Sequence, residues 1–358
     1  MNPLRIESVA VEPIEHPLRD PILRHGRPVQ TRGAIRVTLH DGSGARGVGE
    51  AWPLVSAGTE PMHETAESIL RLRPELEGAR LTLPQLLDRL DAELAATPAA
   101  RAGFDMAAHD LDARLRGLPL ASRLGAAPGA AVRVNAVLGS ADVETTVRLS
   151  RAACAAGYTS IKLKVGATKP SVDIDRVAAV RDAVGRDVEL RVDANGAWPP
   201  ELALEILRTL EASRISLAEQ PVVGGDLDGL AWVHARSPIP IGADESLADA
   251  AGRARLLRGD LASVAVVKLM VAGGLRPAAE LCAAARDRGI PTLVTTTFDG
   301  PIATAAALHL AAACGSPTLA HGLDASSTLA CRFPGALVPS GGILRITDDP
   351  GLSVAEHA

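Results

Sequence analysis

Three acidic residues follow short apolar segments at nearly equal intervals along this chain. Asp193 ends the segment VELRVD, Glu219 ends ISLAE and Asp244 ends IPIGAD. Glu219 follows Asp193 by 26 residues and Asp244 follows Glu219 by 25, and Lys268, in SVAVVKL, comes 24 residues later. One strand, one helix and two loops of a β/α barrel occupy about this length. We therefore predict that the four side chains reach equivalent positions at the ends of successive strands.

The three acids have the chemistry of a metal site. Neighbouring strands lie roughly 4.8 Å apart, so the three carboxylates converge. They cannot all be ionised in a dry barrel mouth without a nearby cation. Three hard oxygen donors suit Mg²⁺, which keeps water ligands and leaves room for substrate oxygens. The sequence thus predicts a Mg²⁺ site, with Mn²⁺ as the alternative ion, formed by Asp193, Glu219 and Asp244.

Two further lysines stand two residues apart in the segment SIKLKVG. Residues at this spacing face the same side of a strand, so Lys162 and Lys164 are both predicted to point into the barrel mouth. Their mutual repulsion and desolvation are expected to lower the pKa, which would leave one of them neutral as a base near pH 7. Lys268 comes from the opposite side of an eight-strand ring. A substrate between Lys164 and Lys268 would meet a lysine on each face.

The composition is that of an ordinary globular protein. The 358 residues are 47% hydrophobic and 22% charged, with a net charge of -5 and no basic run. This balance argues against a nucleic acid or an anionic membrane surface as a partner. No apolar run approaches the length of a membrane span, and proline and acidic residues interrupt the N-terminal segment. We expect a cytoplasmic protein that forms a homo-oligomer and acts on a small carboxylate substrate.

The first third of the chain has a different pattern from the rest. Residues 4–12 and 34–51 have strand patterns, the latter with a turn at 41–44, and helical patterns follow from 60 to 116. Residues 16–32 between the strands have no periodicity and are predicted to form a mobile surface loop. Strands followed by helices indicate an α+β domain, which we assign to residues 1–125.

Alternating strand and helix patterns begin after this domain. We assign residues 126–332 to a barrel and residues 333–358 to a segment that returns to the N-terminal domain. The predicted fold is an α/β barrel, TIM-like (a modified β/α barrel), with an N-terminal α+β capping domain. The eight predicted strands are 132–138, 160–165, 188–193, 215–220, 239–244, 263–269, 291–296 and 318–320.

Five motifs occur in a familiar order: KLK at Lys162, DANGAW at Asp193, EQP at Glu219, ADES at Asp244 and VVKLMVAGGL around Lys268. Together with GEAWPL (49–54) and the helical segment 101–120, they resemble the muconate-lactonising subgroup of the enolase superfamily over nearly the whole chain. The resemblance implies proton abstraction α to a carboxylate with an enediolate intermediate, and that superfamily pairs a lysine or histidine base with Mg²⁺.

The resemblance also implies roles for individual residues and segments. Lys164 and Lys268 would be the catalytic bases, and the three acids would bind the metal. Segments 16–32 and 52–59 would cover the substrate. Side chains expected to contact the substrate or to orient the metal ligands are Lys162, Asn195, Glu245, Asp299, His321 and Asp324.

The reaction within the subgroup is less sharply defined by the sequence. GEAWPL and the first-strand segment VNAVL look most like o-succinylbenzoate synthases, which makes that dehydration the preferred assignment. N-acylamino acid racemase, dipeptide epimerase and muconate-type cycloisomerase are the alternatives. Dipeptide epimerases usually have Asp-x-Asp at the end of the eighth strand, whereas HGLDASS has only Asp324. Asp299 also stands where many relatives have Glu-Ser.

Other classes of protein remain open on the same barrel. A Schiff-base aldolase could use Lys164 or Lys268; borohydride would trap such an aldolase irreversibly with its carbonyl substrate, whereas it would not trap a proton-abstracting enzyme. A metal-dependent hydrolase would require histidine ligands or a second metal, and no predicted strand end before the eighth has a histidine. A non-catalytic barrel is disfavoured because both lysines and all three acids are present.

Overall fold

The computed structural model describes residues 3–24, 27–139 and 142–354. The N-terminal domain is built on a three-stranded antiparallel sheet of β2, β3 and β4, and the short β1 pairs with β5. Its strands are β1 (Leu4–Arg5), β2 (Ser8–Arg24), β3 (Arg27–His40), β4 (Arg46–Ala51) and β5 (Arg80–Leu81). Its helices are α1 (Met62–Leu76), α2 (Leu83–Glu93), α3 (Pro98–Leu115) and α4 (Leu120–Arg123).

The predicted loop at 16–32 is wrong, because its described residues belong to a long hairpin. Pairing of β2 with β3 runs from Ser8↔His40 to Arg24↔Arg27 with one irregularity, and residues 25 and 26 lie outside the described residues. The outer part of the hairpin also bonds to the segment after the eighth strand. Arg19 N donates to Thr328 O at 2.9 Å and Ala330 N donates to Pro17 O at 2.8 Å. Backbone hydrogen bonds stabilise this hairpin without a side-chain alternation that the sequence could reveal.

Helix α3 packs directly on the hairpin of β3 and β4, where two glycines allow the contact. A Cβ atom at Gly49 would lie 2.0 Å from Gly103 O, and one at Gly47 would lie 2.1 Å from Ala107 O. Helix and strand therefore approach more closely than any side chain at these positions would permit. Nearly all of α3 is buried as a result.

Seven parallel strands form a sheet in the order β13-β12-β11-β10-β9-β8-β7. The strands of this part of the chain are β6 (Ala131–Arg133), β7 (Ala136–Leu138), β8 (Ser160–Lys164), β9 (Glu189–Asp193), β10 (Ile215–Glu219), β11 (Ile241–Ala243), β12 (Val264–Lys268) and β13 (Thr292–Thr295). The helices are α5 (Val143–Ala155), α6 (Pro170–Val184), α7 (Pro200–Leu210), α8 (Leu227–His234), α9 (Ala250–Arg258), α10 (Leu269–Ala272), α11 (Leu275–Asp287) and α12 (Pro301–Cys314).

An eighth strand of only two residues closes the barrel. His321 bridges to Val134 and Gly322 bridges to Thr295, both in parallel. The predicted strand at 318–320 was therefore placed just before the true closure. A Cβ atom at Gly322 would lie 2.3 Å from Thr295 Oγ1, so the seam admits only glycine there.

Apolar side chains fill the barrel below its mouth. Leu217 of β10, Val264 and Val266 of β12 and Leu293 of β13 form a buried cluster. A larger core lies between the strands and the surrounding helices. In the described parts of the chain, none of the helices combines the length and apolar character needed to cross a membrane.

The segment after the barrel runs first along its base. Strand β14 (Ile343–Arg345) pairs antiparallel with β6. Leu352 N then donates to Asp110 Oδ1 on α3 at 2.7 Å, which is a contact with the N-terminal domain. Residues 355–358 of the predicted C-terminal segment lie outside the described residues, and the domain limits at 125 and 332 remain predictions.

Candidate active site

The C-terminal ends of the barrel strands bring the predicted acids and lysines together. Asp193 and Glu219 are the last residues of β9 and β10 and lie side by side in register. Asp244 directly follows β11, and Lys268 ends β12. All three carboxylates are buried. Short buried strands thus deliver charged groups to one confined mouth.

Lys162 bridges two of these acids. Its Nζ donates to Asp193 Oδ2 at 3.0 Å and to the two carboxylate oxygens of Glu219 at 2.9 and 3.1 Å. Burial by itself would lower the pKa of Lys162, but the negative charges of Asp193 and Glu219 raise it. The lowered pKa predicted for the lysine pair is therefore wrong for Lys162, because the nearby carboxylates outweigh the second lysine.

The other two lysines contact different acids. Lys164 Nζ donates to Asp193 Oδ2 at 2.6 Å, and Lys268 Nζ donates to Asp244 Oδ2 at 2.6 Å. Burial opposes a raised pKa of Lys268, but Asp244 and Glu245 raise it. Between β8 and β12 lie three strands on one side and, counting the short eighth strand, three on the other. Lys164 and Lys268 therefore stand on opposite sides of the mouth.

The lysines do not balance the negative charge evenly. Burial and the charge of Asp193 raise the pKa of Glu219 to about 7. Burial, opposed by Lys268 and reinforced by Glu245, raises the pKa of Asp244 to about 6. The pKa of Asp193 is lowered despite burial, because two lysines bond to it. A further positive charge would therefore stabilise the ionised form of two of the three acids.

This donor set fits a hard divalent cation. Three buried carboxylates on adjacent strand ends supply the oxygen ligands that Mg²⁺ prefers. With their side chains as they are oriented in this structure, no three His, Cys, Asp or Glu residues among 3–24, 27–139 and 142–354 are grouped closely enough to hold a metal ion. The carboxylates are instead turned toward lysine ammonium groups. A cation bound here would share or replace these ion pairs.

Asn195 and Glu245 extend the network outward from the acids. Lys164 Nζ also donates to Asn195 Oδ1 at 2.8 Å, and Asn195 Nδ2 donates to Glu245 Oε1 at 2.9 Å. Asn195 adopts a left-handed backbone conformation with φ of 46°. The structure thus brings both predicted residues to the rim of the mouth, where Asn195 contacts Lys164 and Glu245 contacts Asn195.

The structure does not bring His321 to this centre. Its ring is buried against β13 and the end of α12, where Nδ1 accepts a hydrogen bond from Val294 N at 2.9 Å. Burial lowers the pKa of His321 to about 4. A histidine one residue before the seam glycine packs outside the barrel wall because neighbouring positions on a strand face opposite sides.

Asp299 and Asp324 have other partners. Asp299 is buried, accepts a hydrogen bond from Thr297 Oγ1, and has a pKa raised to about 6, mainly by burial. Asp324 accepts hydrogen bonds from Tyr158 OH at 2.8 Å and from Ser326 Oγ at 2.9 Å. Both acids stay close to their own strand ends.

The predicted covering segment 52–59 packs over part of the mouth. Leu54 and Ala57 form a buried cluster with Val271, which follows Lys268 by three residues, and Phe298 packs against it. Phe298 has a left-handed φ of 62°, which is strained for a bulky residue. Segment 52–59 therefore contacts helix α10, which follows β12, and the loop that follows β13.

Sequence reasoning assigned no role to Gln220 or Glu50 and included Trp52 only in the covering segment 52–59; all three side chains are fully buried. Trp52 Nε1 donates to Glu50 Oε2 at 2.9 Å, and Gln220 directly follows Glu219, the last residue of β10. A glutamine placed directly after a strand-end acid was the available signal for Gln220. Glu50 and Trp52 stand in the GEAWPL segment, whose partners lie far away in the sequence.

Comparison with known proteins gives matches over both domains. Residues 145–356 match the family model "Enolase C-terminal domain-like", and residues 6–125 match "Mandelate racemase / muconate lactonizing enzyme, N-terminal domain". The chain is 31% identical over 362 residues to the L-Ala-D/L-Glu epimerase of Bacillus subtilis, covering 98% of this chain and 97% of that protein. It is 28% identical to the N-succinyl-L-Arg/Lys racemase of Bacillus cereus, covering 86% and 84%.

A solved structure shares the complete architecture. The dipeptide epimerase from Methylococcus capsulatus, complexed with Mg and the dipeptide L-Arg-D-Lys, superposes with a TM-score of 0.87 at 30% sequence identity. The match covers 97% of this chain and 99% of that chain. The barrel with an N-terminal capping domain, expected from the sequence, is thereby confirmed.

Proposed function

Because the chain belongs to the mandelate racemase/muconate lactonizing enzyme family of the enolase superfamily, we propose that this enzyme is a racemase or epimerase. Its substrate is an N-acylated α-amino acid, a class that includes the C-terminal residue of a dipeptide. The observation that carries the proposal is the placement of Lys164 and Lys268 on opposite sides of the mouth, each 2.6 Å from a different acid.

Two opposed lysines suit inversion at a carbon atom. One amine removes the α-proton from one face, and the ammonium group of the other lysine returns a proton to the opposite face. For this purpose one lysine must be neutral and the other protonated when the substrate arrives. Asp193 and Asp244 hold the two Nζ atoms in place through their hydrogen bonds. The product configuration then depends on which lysine donates.

Asp193, Glu219 and Asp244 are the residues that would hold Mg²⁺. The ion would supply positive charge to stabilise the enediolate that forms when the α-proton leaves. Lys162, bonded to Asp193 and Glu219, adds a fixed positive charge beside the same acids.

Asp324 is the residue that we assign to selection of the substrate's acyl group. It is the one acid at the end of the eighth strand, and Tyr158 and Ser326 already donate to its two oxygens. Gly322, two residues earlier, has no room for a side chain beside Thr295. Because both oxygens of the Asp324 carboxylate already accept hydrogen bonds, it has little capacity left for a free ammonium group, and this favours an acyl group without one.

The dehydration preferred from the sequence has less support. An o-succinylbenzoate synthase would use Lys164 for proton transfer and Lys268, in an equivalent contact, as a fixed charge. The relatives described above are named as epimerases and a racemase. We therefore keep the synthase as an arm of the experiment.

Proton NMR in deuterated water tests the proposal. The purified protein with Mg²⁺ would be incubated with N-succinyl amino acids, with dipeptides, and with the cyclohexadiene precursor of o-succinylbenzoate. We expect deuterium to enter the α-position of an N-succinyl amino acid together with loss of optical rotation. Conversion of the cyclohexadiene alone would replace the proposal with the synthase, and exchange in dipeptides alone would contradict the assignment of the acyl group.

A further inference from the structure

Gln220 occupies a central position among the three acids. It directly follows Glu219 at the end of β10, and its side chain is completely buried. Its backbone is in the left-handed region, with φ of 39°. A residue other than glycine is held in this conformation only where its surroundings compensate for the strain. The contacts of Gln220 provide that compensation.

The side chain of Gln220 connects β10 to the end of β11. Its Oε1 accepts hydrogen bonds from Asp244 N at 2.8 Å and from Ser246 N at 3.2 Å. Its Nε2 donates to Val222 O and to Ser246 Oγ, both at 2.8 Å. A carboxamide has two donor hydrogens and two acceptor lone pairs, so its whole capacity is used.

The contact with Asp244 replaces a strand hydrogen bond. Strand β11 ends at Ala243, so the N–H of Asp244 lies beyond the ladder. Gln220 Oε1 supplies its acceptor. This hydrogen bond fixes the backbone of Asp244, and the backbone in turn sets the position of the Asp244 carboxylate.

The backbone of Gln220 bonds to residues on both sides of β10. Gln220 O accepts from Gly196 N at 2.7 Å, three residues after Asp193, and Gln220 N donates to Gly242 O at 2.9 Å. One buried residue therefore bonds to the loop that follows Asp193 and to the strand that leads into Asp244, and it is covalently joined to Glu219.

We infer that Gln220 is a positioning residue that sets the relative placement of the Asp193, Glu219 and Asp244 carboxylates for a divalent cation. This inference rests on the proposed function, which assigns the three acids to Mg²⁺. Groups that orient metal ligands typically change metal affinity by 10- to 100-fold when they are replaced. The amide of Gln220 acts through Asp244 and contributes no ligand of its own.

The test replaces the amide without changing the length of the side chain. Gln220→Met keeps the volume but removes every side-chain hydrogen bond. We expect the Kd for Mg²⁺, measured by titration calorimetry on the full chain, to rise by about 10- to 100-fold. With substrate, the Mg²⁺ concentration needed for half-maximal rate should rise in parallel, while the substrate KM at saturating Mg²⁺ changes little.

Thr65→Val is the matched control. Thr65 is fully buried in the capping domain, and its hydroxyl donates to Glu60 Oε1 at 3.0 Å. The substitution also removes a buried hydrogen bond and should lower the melting temperature, but it should leave the Kd for Mg²⁺ unchanged.

The outcomes separate the two proposals. An unchanged Kd in Gln220→Met, or an equal change in Thr65→Val, would overturn the role of Gln220 while the metal site stands. Failure of the wild-type protein to bind Mg²⁺ would overturn the metal site itself and the inference with it. A raised Kd in Gln220→Met alone supports both.

Discussion

The ammonium group of Lys164 lies 2.6 Å from the carboxylate oxygen Oδ2 of Asp193. Across the mouth, Lys268 is related in the same way to Asp244. If the two lysines act on opposite faces of the substrate, each variant should lose one half of the reaction. Lys164→Ala and Lys268→Ala are each expected to reduce racemisation by at least about 100-fold, the usual contribution of a general base.

Isotope exchange distinguishes the two faces. Each alanine variant should still exchange the α-proton of one enantiomer with deuterated solvent and fail with the other, with opposite preferences for the two variants. The measurement is proton NMR on separate enantiomers. Retention of more than about one per cent of the racemisation rate in Lys164→Ala would contradict its role as an essential base.

The three acids give a second prediction. Asp193→Asn, Glu219→Gln and Asp244→Asn should each weaken Mg²⁺ binding, because each replaces a charged oxygen ligand with a neutral amide. Titration calorimetry with Mg²⁺ measures the effect directly.

Asp299→Asn is the control for these variants. Asp299 is as buried as the other acids and has a raised pKa, but it bonds to Thr297 rather than to a lysine. Its substitution should leave Mg²⁺ affinity within about twofold of wild type. Unchanged affinity in all three acid variants, or an equal loss in Asp299→Asn, would move the metal site elsewhere.

The central charged groups could be predicted from the sequence because they follow the repeat of the barrel. Asp193, Glu219, Asp244 and Lys268 each end or follow a strand, and a parallel sheet brings such ends to one edge. This argument depends only on spacing and strand type. It holds although helices and loops of different lengths separate the strands.

Features that depend on backbone contacts were not predictable in the same way. The hairpin of β2 and β3 pairs through backbone groups, and residues 16–32 show no side-chain period that would reveal it. The closing strand is two residues long, which is too short for a pattern. The position of His321 follows from the side of the strand that it faces, which a register error of one residue reverses.

The buried pair of Trp52 and Glu50 gives a third prediction. Trp52 Nε1 donates to Glu50 Oε2 at 2.9 Å, and both side chains are fully buried. Trp52→Phe keeps most of the aromatic volume but leaves a buried carboxylate oxygen without this donor. We expect the free energy of unfolding to fall by about 1–3 kcal/mol. Urea denaturation measures it.

The same substitution at Trp232 is the control. Trp232 is only partly buried and packs under the guanidinium group of Arg236 at 4.8 Å from the ring centroid. Trp232→Phe should cost less than Trp52→Phe, since no buried carboxylate loses a donor. Equal losses would mean that the Trp52 indole stabilises the domain by its volume rather than by its hydrogen bond.

The pH dependence of stability gives a fourth prediction, centred on His309. The ring is buried in α12, and its Nδ1 accepts a hydrogen bond from Ala121 N at 2.8 Å, which only an unprotonated nitrogen can do. Burial lowers the pKa of His309 to about 4 from its usual 6.5, although a hydrogen bond to Leu352 O opposes the shift. Folding therefore keeps this ring neutral at pH values where the unfolded chain is protonated.

The sign of the effect follows from that difference. Above pH 6.5 the ring is neutral in both states and its contribution is complete. As the pH falls from 6.5 to about 4 the unfolded chain binds a proton first, so stability is lost, by on the order of 3 kcal/mol in total. Below pH 4 both states are protonated and the loss stops growing.

His309→Gln isolates this contribution, because its amide oxygen can accept from Ala121 N but does not titrate. His321, Glu219, Asp244 and Asp299 titrate in both proteins, so their effects cancel when the two are compared. We expect the free energy of unfolding of wild type relative to the variant to decrease by about 3 kcal/mol between pH 7.5 and pH 4. Urea denaturation at the two pH values measures this change. A difference that stays constant across this range would mean that His309 has the same pKa in the folded and unfolded chains, and its contact with Ala121 would then not depend on a neutral ring.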